Sequence, residues 1–149
     1  MPHINDAGLQ LIKSFEGCVL HVYPDPGTGG EPYTAGYGHT GSGLALGTKI
    51  TQEQADEWLE QDLYKFETGV NNLCAVNLNS NQFSALVSFA YNTGLNALGA
   101  STLLHLINTG HVDEAAPHFA SWVYANEEVM PGLVRRRAAE AALFSTKES

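Results

Sequence analysis

The sequence predicts an α+β fold, and three features carry that prediction. Strand-forming residues flank a Gly/Pro-rich stretch between Val19 and Tyr37, a helical pattern precedes them, and capped amphipathic patterns fill the chain from Thr51 onward. With 149 residues, 44% of them hydrophobic and 15% charged, the chain is long and apolar enough to bury a core as a single domain, residues 1–149. The expected architecture is a small N-terminal β-hairpin lobe and a larger helical C-terminal lobe with a cleft between them.

The first helix is expected to begin at Asn5 or Asp6, both good N-caps. Leu9, Ile12 and Phe15 fall on one face, and Gly17 ends it. Glu16 then occupies the last turn, where the helix dipole favours cations over carboxylates. Val19–Tyr23 and Tyr33–Tyr37 read as the arms of a hairpin whose long tip runs from Pro24 to Pro32. Everything after Thr51 reads as helical. Thr51-Gln52-Glu53-Gln54 forms a capping box ahead of Ala55, Leu59, Leu63, Phe66 and Val70. Phe83, Leu86, Val87 and Ala90 mark a second helix of this series, closed near Gly94. Ser101 caps a third that stops at Asn108-Thr109-Gly110, and short helical pieces surround Ala115 to Tyr124. Pro131 opens a last helix to about Phe144.

Composition excludes several functions. Seven basic against 16 acidic residues give a net charge of −9, which argues against nucleic-acid binding. Six of the acids lie between Glu53 and Glu67, on one expected helix, as a solvated face. No apolar run reaches the ~20 residues needed to span a bilayer, so no membrane insertion is expected. The first residues, Met1-Pro2-His3-Ile4-Asn5-Asp6, lack a signal-peptide pattern. Cys18 and Cys74 fit neither a disulfide framework nor a zinc site, and no metal or other cofactor is expected.

The segment from Phe15 to Thr40 concentrates the chemistry. Glycoside hydrolysis needs one carboxylic acid to protonate the leaving oxygen and a second carboxylate on the other face of the sugar. Glu16 at a helix end and Asp25 at a hairpin tip, with eight residues between them, could supply that pair, although acids this close also occur by chance.

Resemblance decides between these readings. Phe15-Glu16-Gly17, Tyr23-Pro24-Asp25 and Thr34-Ala35-Gly36-Tyr37-Gly38-His39-Thr40 are similar to the motif of the T-even and P22-like phage lysozymes, the endolysins of glycoside hydrolase family 24. The likeness continues at Ile50-Thr51, at 85–94, at Ser101-Thr102-Leu103-Leu104 and at Pro131-Gly132-Leu133-Val134 before the arginines, in family order. The resemblance implies a lysozyme-like fold and a muramidase that hydrolyses the β-1,4 bond between N-acetylmuramic acid and N-acetylglucosamine in peptidoglycan. It makes Glu16 the general acid, with Asp25 and Thr34 activating the water. It further implies an inverting reaction, with carboxyl groups roughly 6.5–9.5 Å apart. It also implies a monomer that is made in the host cytoplasm, depends on a holin for release and acts on periplasmic peptidoglycan.

The loop between Asp25 and Thr34 is longer than in the shortest members of the family. It brings in Glu31 as a rival to Asp25 and Thr28 as a rival to Thr34. The resemblance gives His39 a supporting role beside Asp62, and lets Arg136 or Arg137 orient Glu16; for either arginine, plain surface charge is the alternative. It places Tyr91, Asn92 and His118 against the sugar, while Trp58 and Trp122 read as core. Two other functions stay open: an inactive homologue that only binds peptidoglycan, and a muramidase carried by a virion or used as an effector. The charge is unexpected for either enzyme, because peptidoglycan is itself anionic.

Overall fold

The computed structural model describes residues 2–26, 29–41, 44–125 and 127–147. It is an α+β fold, as expected, and divides into two compact units, one of residues 16–64 and one of residues 1–15 with 65–149. Among the described residues no helix is long and apolar enough to cross a membrane.

Helix α1 (Asp6–Glu16) starts where the sequence predicts, with the Asn5 side chain accepting from the Gly8 N–H at 2.9 Å. It ends at Gly17, whose φ of +69° suits a residue without a Cβ. Strand β1 (Val19–Tyr23) has the expected bounds, whereas β2 is only Thr34–Gly36. The expected hairpin is in fact three-stranded. β3 (His39–Thr40) pairs antiparallel with β2, giving the order β1-β2-β3. Gly36 and Gly38, both at positive φ, make the tight return that a two-residue strand needs. Residues 47–50 hydrogen-bond along the other edge of β1, through Val22 N–H to Thr48 O and Ile50 N–H to Leu20 O, so that edge is covered.

Helix α2 (Gln52–Leu73) opens with the Thr51 hydroxyl accepting from the Gln54 N–H at 3.0 Å. Helix α3 (Ser80–Thr93) is closed at its N-terminus by a reciprocal capping box between Asn79 and Gln82. Its residues Phe83 to Ala90 are all buried, the mark of a helix enclosed on every side. The short α4 (Leu95–Gly99) was not expected; α5 (Thr102–Asn108) was, and Ser101 caps it. Two 3₁₀ segments follow, Val112–Glu114 and Ala116–Ser121. The expectation that the chain stays helical beyond Thr51 fails at β4 (Tyr124–Ala125) and β5 (Glu128–Val129), an antiparallel ribbon. Helix α6 (Pro131–Ser145) then packs on α3 and on the second 3₁₀ segment. The rings of Phe89, Phe119, Trp122 and Phe144 meet there edge-on or tilted, at centroid distances of 5.5–5.7 Å.

Candidate active site

Glu16, Asp25 and Thr34 all fall in the unit of residues 16–64. Glu16 is the last residue of α1 and is half-buried. Thr34 sits in the central strand, with Tyr23 of β1 and Thr40 of β3 as its Cα partners on either side. Asp25 lies two residues beyond Tyr23, the β1 residue opposite Thr34, where the chain has left the strand. The Thr34 hydroxyl donates to the Pro32 carbonyl at 3.3 Å, a long bond that a better acceptor could displace.

The long loop is closed at its neck. Asp25 N–H donates to Gly30 O at 2.9 Å, and Gly29 N–H donates back to Asp25 O at 2.8 Å. Gly29 takes a φ of +72° to do so. These two bonds tie Asp25 to Gly29 and Gly30 at the base of the loop. Glu31, the rival carboxylate, is exposed where Asp25 is half-buried, and Thr28, the rival hydroxyl, lies outside the described residues.

His39 and Asp62 meet in the same unit, with Nδ1 to Oδ2 at 2.8 Å. The imidazole also stacks on Trp58, at 4.4 Å between centroids and 17° between planes. Trp58 is thereby half-buried against the β2–β3 return. Sequence reasoning missed Tyr37 and Gln52. Tyr37, 8% exposed, accepts a hydrogen bond from Gln52 Nε2 at 3.0 Å, yet Gln52 had read only as part of a helix cap.

The remaining candidates fall in the other unit. The Tyr91 ring packs edge-on against Phe66 at 5.3 Å, Asn92 is exposed and His118 is half-buried. Arg136 and Arg137 are not surface charges, being 3% and 1% exposed, whereas Arg135 is exposed. Both buried arginines meet Glu140, which is fully enclosed. Glu140 Oε2 accepts from Ser88 Oγ at 2.5 Å, from Arg137 Nη2 at 3.1 Å and from Arg136 Nε at 3.3 Å. Arg136 Nη2 also donates to the Ser88 carbonyl at 3.2 Å. Arg137 Nε approaches Glu140 Oε1 to 2.6 Å, but at an angle that makes it an ionic contact and not a hydrogen bond. The Arg137 guanidinium lies 5.0 Å from the Phe89 ring centroid. Burial pushes the Glu140 carboxyl up and the Arg137 guanidinium down, and their mutual attraction opposes both shifts. The spacing of Glu140 three and four residues beyond the arginines was the available signal for this cluster. Away from it, burial alone raises the Cys74 thiol to about 11.

The fold is that of a lysozyme-like α+β protein. The family model described as phage lysozyme matches residues 13–140. The endolysin of Bacillus phage PZA is 46% identical over 143 residues, 96% of this chain but 55% of the relative. The chain thus spans about half the length of that relative. The endolysin of Salmonella phage P22 is 38% identical over 148 residues, covering 97% of this chain and 99% of the relative. Among solved structures, the muramidase domain of SpmX from Asticaccaulis excentricus superposes with a TM-score of 0.88 at 41% identity, covering 99% of this chain and all of that one. The chain belongs to the phage lysozyme family.

Proposed function

We propose that this chain is an endolysin-type muramidase cleaving the β-1,4 bond between N-acetylmuramic acid and N-acetylglucosamine in peptidoglycan. The observation that supports the reading is the match to the phage lysozyme family, with Glu16, Asp25 and Thr34 falling in one compact unit. Glu16 delivers a proton to the glycosidic oxygen as the bond to the anomeric carbon breaks. Asp25 takes a proton from the attacking water while Thr34 orients that water, and the product is inverted. His39 with Asp62 supports the β2–β3 strand return, Arg136 and Arg137 support their own unit through Glu140, and Tyr91, Asn92 and His118 contact the glycan. The protein acts as a monomer without a metal or other cofactor. It is made in the host cytoplasm and reaches periplasmic peptidoglycan once a holin has opened the membrane.

The test compares the protein with Glu16→Gln on outer-membrane-permeabilised Gram-negative cells, following turbidity and new reducing ends. Clearing by the wild type alone is expected. Equal clearing by both moves the chemistry away from Glu16. No clearing by either, with both still sedimenting on purified sacculi, makes this a peptidoglycan-binding homologue.

A further inference from the structure

Helix α2 holds the strand return that carries Thr34 along one stripe of its surface. Gly36 approaches so closely that a Cβ added there would lie 3.3 Å from the Ala55 Cβ. Three residues earlier on the helix, Gln52 bonds the Tyr37 hydroxyl at 3.0 Å; further along, Trp58 and Asp62 hold His39. Positions 52, 55, 58 and 62 share one helix face, so a single rigid element makes four contacts with three residues, Gly36, Tyr37 and His39.

Gln52 differs from the other three because it also reaches the chain leaving Glu16. Gly17 turns that chain out of α1 at φ +69°, and the next residue, Cys18, points its thiol at Gln52 Oε1 at 3.8 Å. Gln52 Nε2 makes a second bond, to Asp56 Oδ1 at 3.0 Å. Every polar atom of the amide is engaged: two donors on Tyr37 and Asp56, one acceptor facing Cys18. The Asp56 carboxylate fixes which way the amide points, since the flipped form would set carbonyl oxygen against carboxylate. One side chain therefore bridges a residue two positions after Glu16 and a residue three positions after Thr34.

We propose that Gln52 is a positioning residue for the hydrolytic reaction, acting through Tyr37 and Cys18 to keep Thr34 and Glu16 in register. This rests on the assignment of Glu16 and Thr34 given above. Gln52 is not among the residues assigned to the sugar or the attacking water, so its loss is expected to change the alignment of the reacting groups and to leave glycan affinity alone. Misplacement of about 1 Å in such a site costs as much as a hundredfold in rate, and loss of one tether among four is expected to cost about tenfold.

The experiment measures kcat and KM on soluble peptidoglycan fragments for wild type, Gln52→Ala, Tyr37→Phe, the double variant and Glu16→Gln, with melting temperature alongside. Glu53→Ala, in the exposed first turn of α2, is the control expected to keep full activity. The expected result is a fall of about tenfold in kcat for Gln52→Ala with KM within twofold. Tyr37→Phe, which keeps the buried ring and loses the hydroxyl, should fall similarly, and the double variant should fall no further than the worse single variant. Full activity in folded Gln52→Ala and Tyr37→Phe, beside an inactive Glu16→Gln, overturns the positioning role while leaving the function standing. A rise in KM at constant kcat, or losses that multiply in the double variant, also overturns it. An active Glu16→Gln removes the assignment on which the proposal depends.

Discussion

Replacing Ser88 by alanine tests the buried charge cluster at its least disruptive point. The Ser88 hydroxyl is fully enclosed and donates to Glu140 Oε2 at 2.5 Å. A hydrogen bond to a charged group contributes about 1.5–3 kcal/mol. Glu140 Oε2 keeps its two arginine donors in the variant, so no acceptor is orphaned and the lower part of that range applies, about 2 kcal/mol. For a chain of this size that corresponds to a drop in melting temperature of roughly 4–8 °C. The cost depends on pH in a definite direction. The Ser88 bond favours the ionised carboxylate, so the gap between wild type and Ser88→Ala is full at high pH and narrows as Glu140 takes up a proton. Because burial raises that carboxyl, the narrowing begins above the ordinary carboxylate range. For the wild type alone the sign is opposite: a raised folded-state carboxyl contributes stability at low pH that is lost as pH rises through its folded value. Urea unfolding followed by circular dichroism at several pH values measures both effects. A loss under 0.5 kcal/mol at pH 8, or a gap that widens on acidification, refutes the assignment of an ionised, Ser88-bonded Glu140.

Two further outcomes are expected. Glu127 stands in the β4–β5 turn at φ +68°, a conformation that costs a side-chain-bearing residue about 1–2 kcal/mol. Glu127→Gly relieves that strain and loosens the unfolded chain, for a net gain of about 0.5–1 kcal/mol, visible as a melting temperature raised by roughly 2 °C; a lower value means the glutamate makes a compensating contact. The buried charges among the described residues, Arg136 and Arg137 against Glu67 and Glu140, cancel, so the net charge of −9 lies on the exterior and would repel the proposed anionic glycan. Hydrolysis should therefore hold or rise as salt is added from 10 to 150 mM, since screening weakens the repulsion, and a steep fall contradicts this.

Where hydrophobic spacing and caps agree, the sequence was legible: α1, β1, α3, α5 and α6 lie within a residue or two of their expected bounds. The misses have physical causes. β3 is two polar-flanked residues, and its only local sign is the pair of glycines at 36 and 38 that permits the return. β4 and β5 were missed because Tyr124-Ala125-Asn126-Glu127-Glu128-Val129 has no glycine where the turn takes a positive φ. The proposed site was half legible. Glu16, Asp25 and Thr34 announce themselves through a motif, whereas Gln52 looks like any first residue of a helix until Tyr37 is found against it. Burial of Arg136 and Arg137 was hidden because three consecutive arginines look like a surface run, and only the spacing to Glu140 hints otherwise.

The hydrogen-bonded neck between Asp25 and Gly30 separates two design problems that a plain hairpin would couple. The strands are set by their pairing and the neck by two backbone bonds, so the number of residues between 25 and 30 is no longer part of the geometry at Thr34. Loop-closure entropy grows only slowly with length, so further residues there cost little once the neck has formed. That makes the turn bounded by Asp25 and Gly30 a natural graft point, where an epitope, a fluorophore-bearing segment or a short wall-targeting peptide can be carried without rebuilding the sheet.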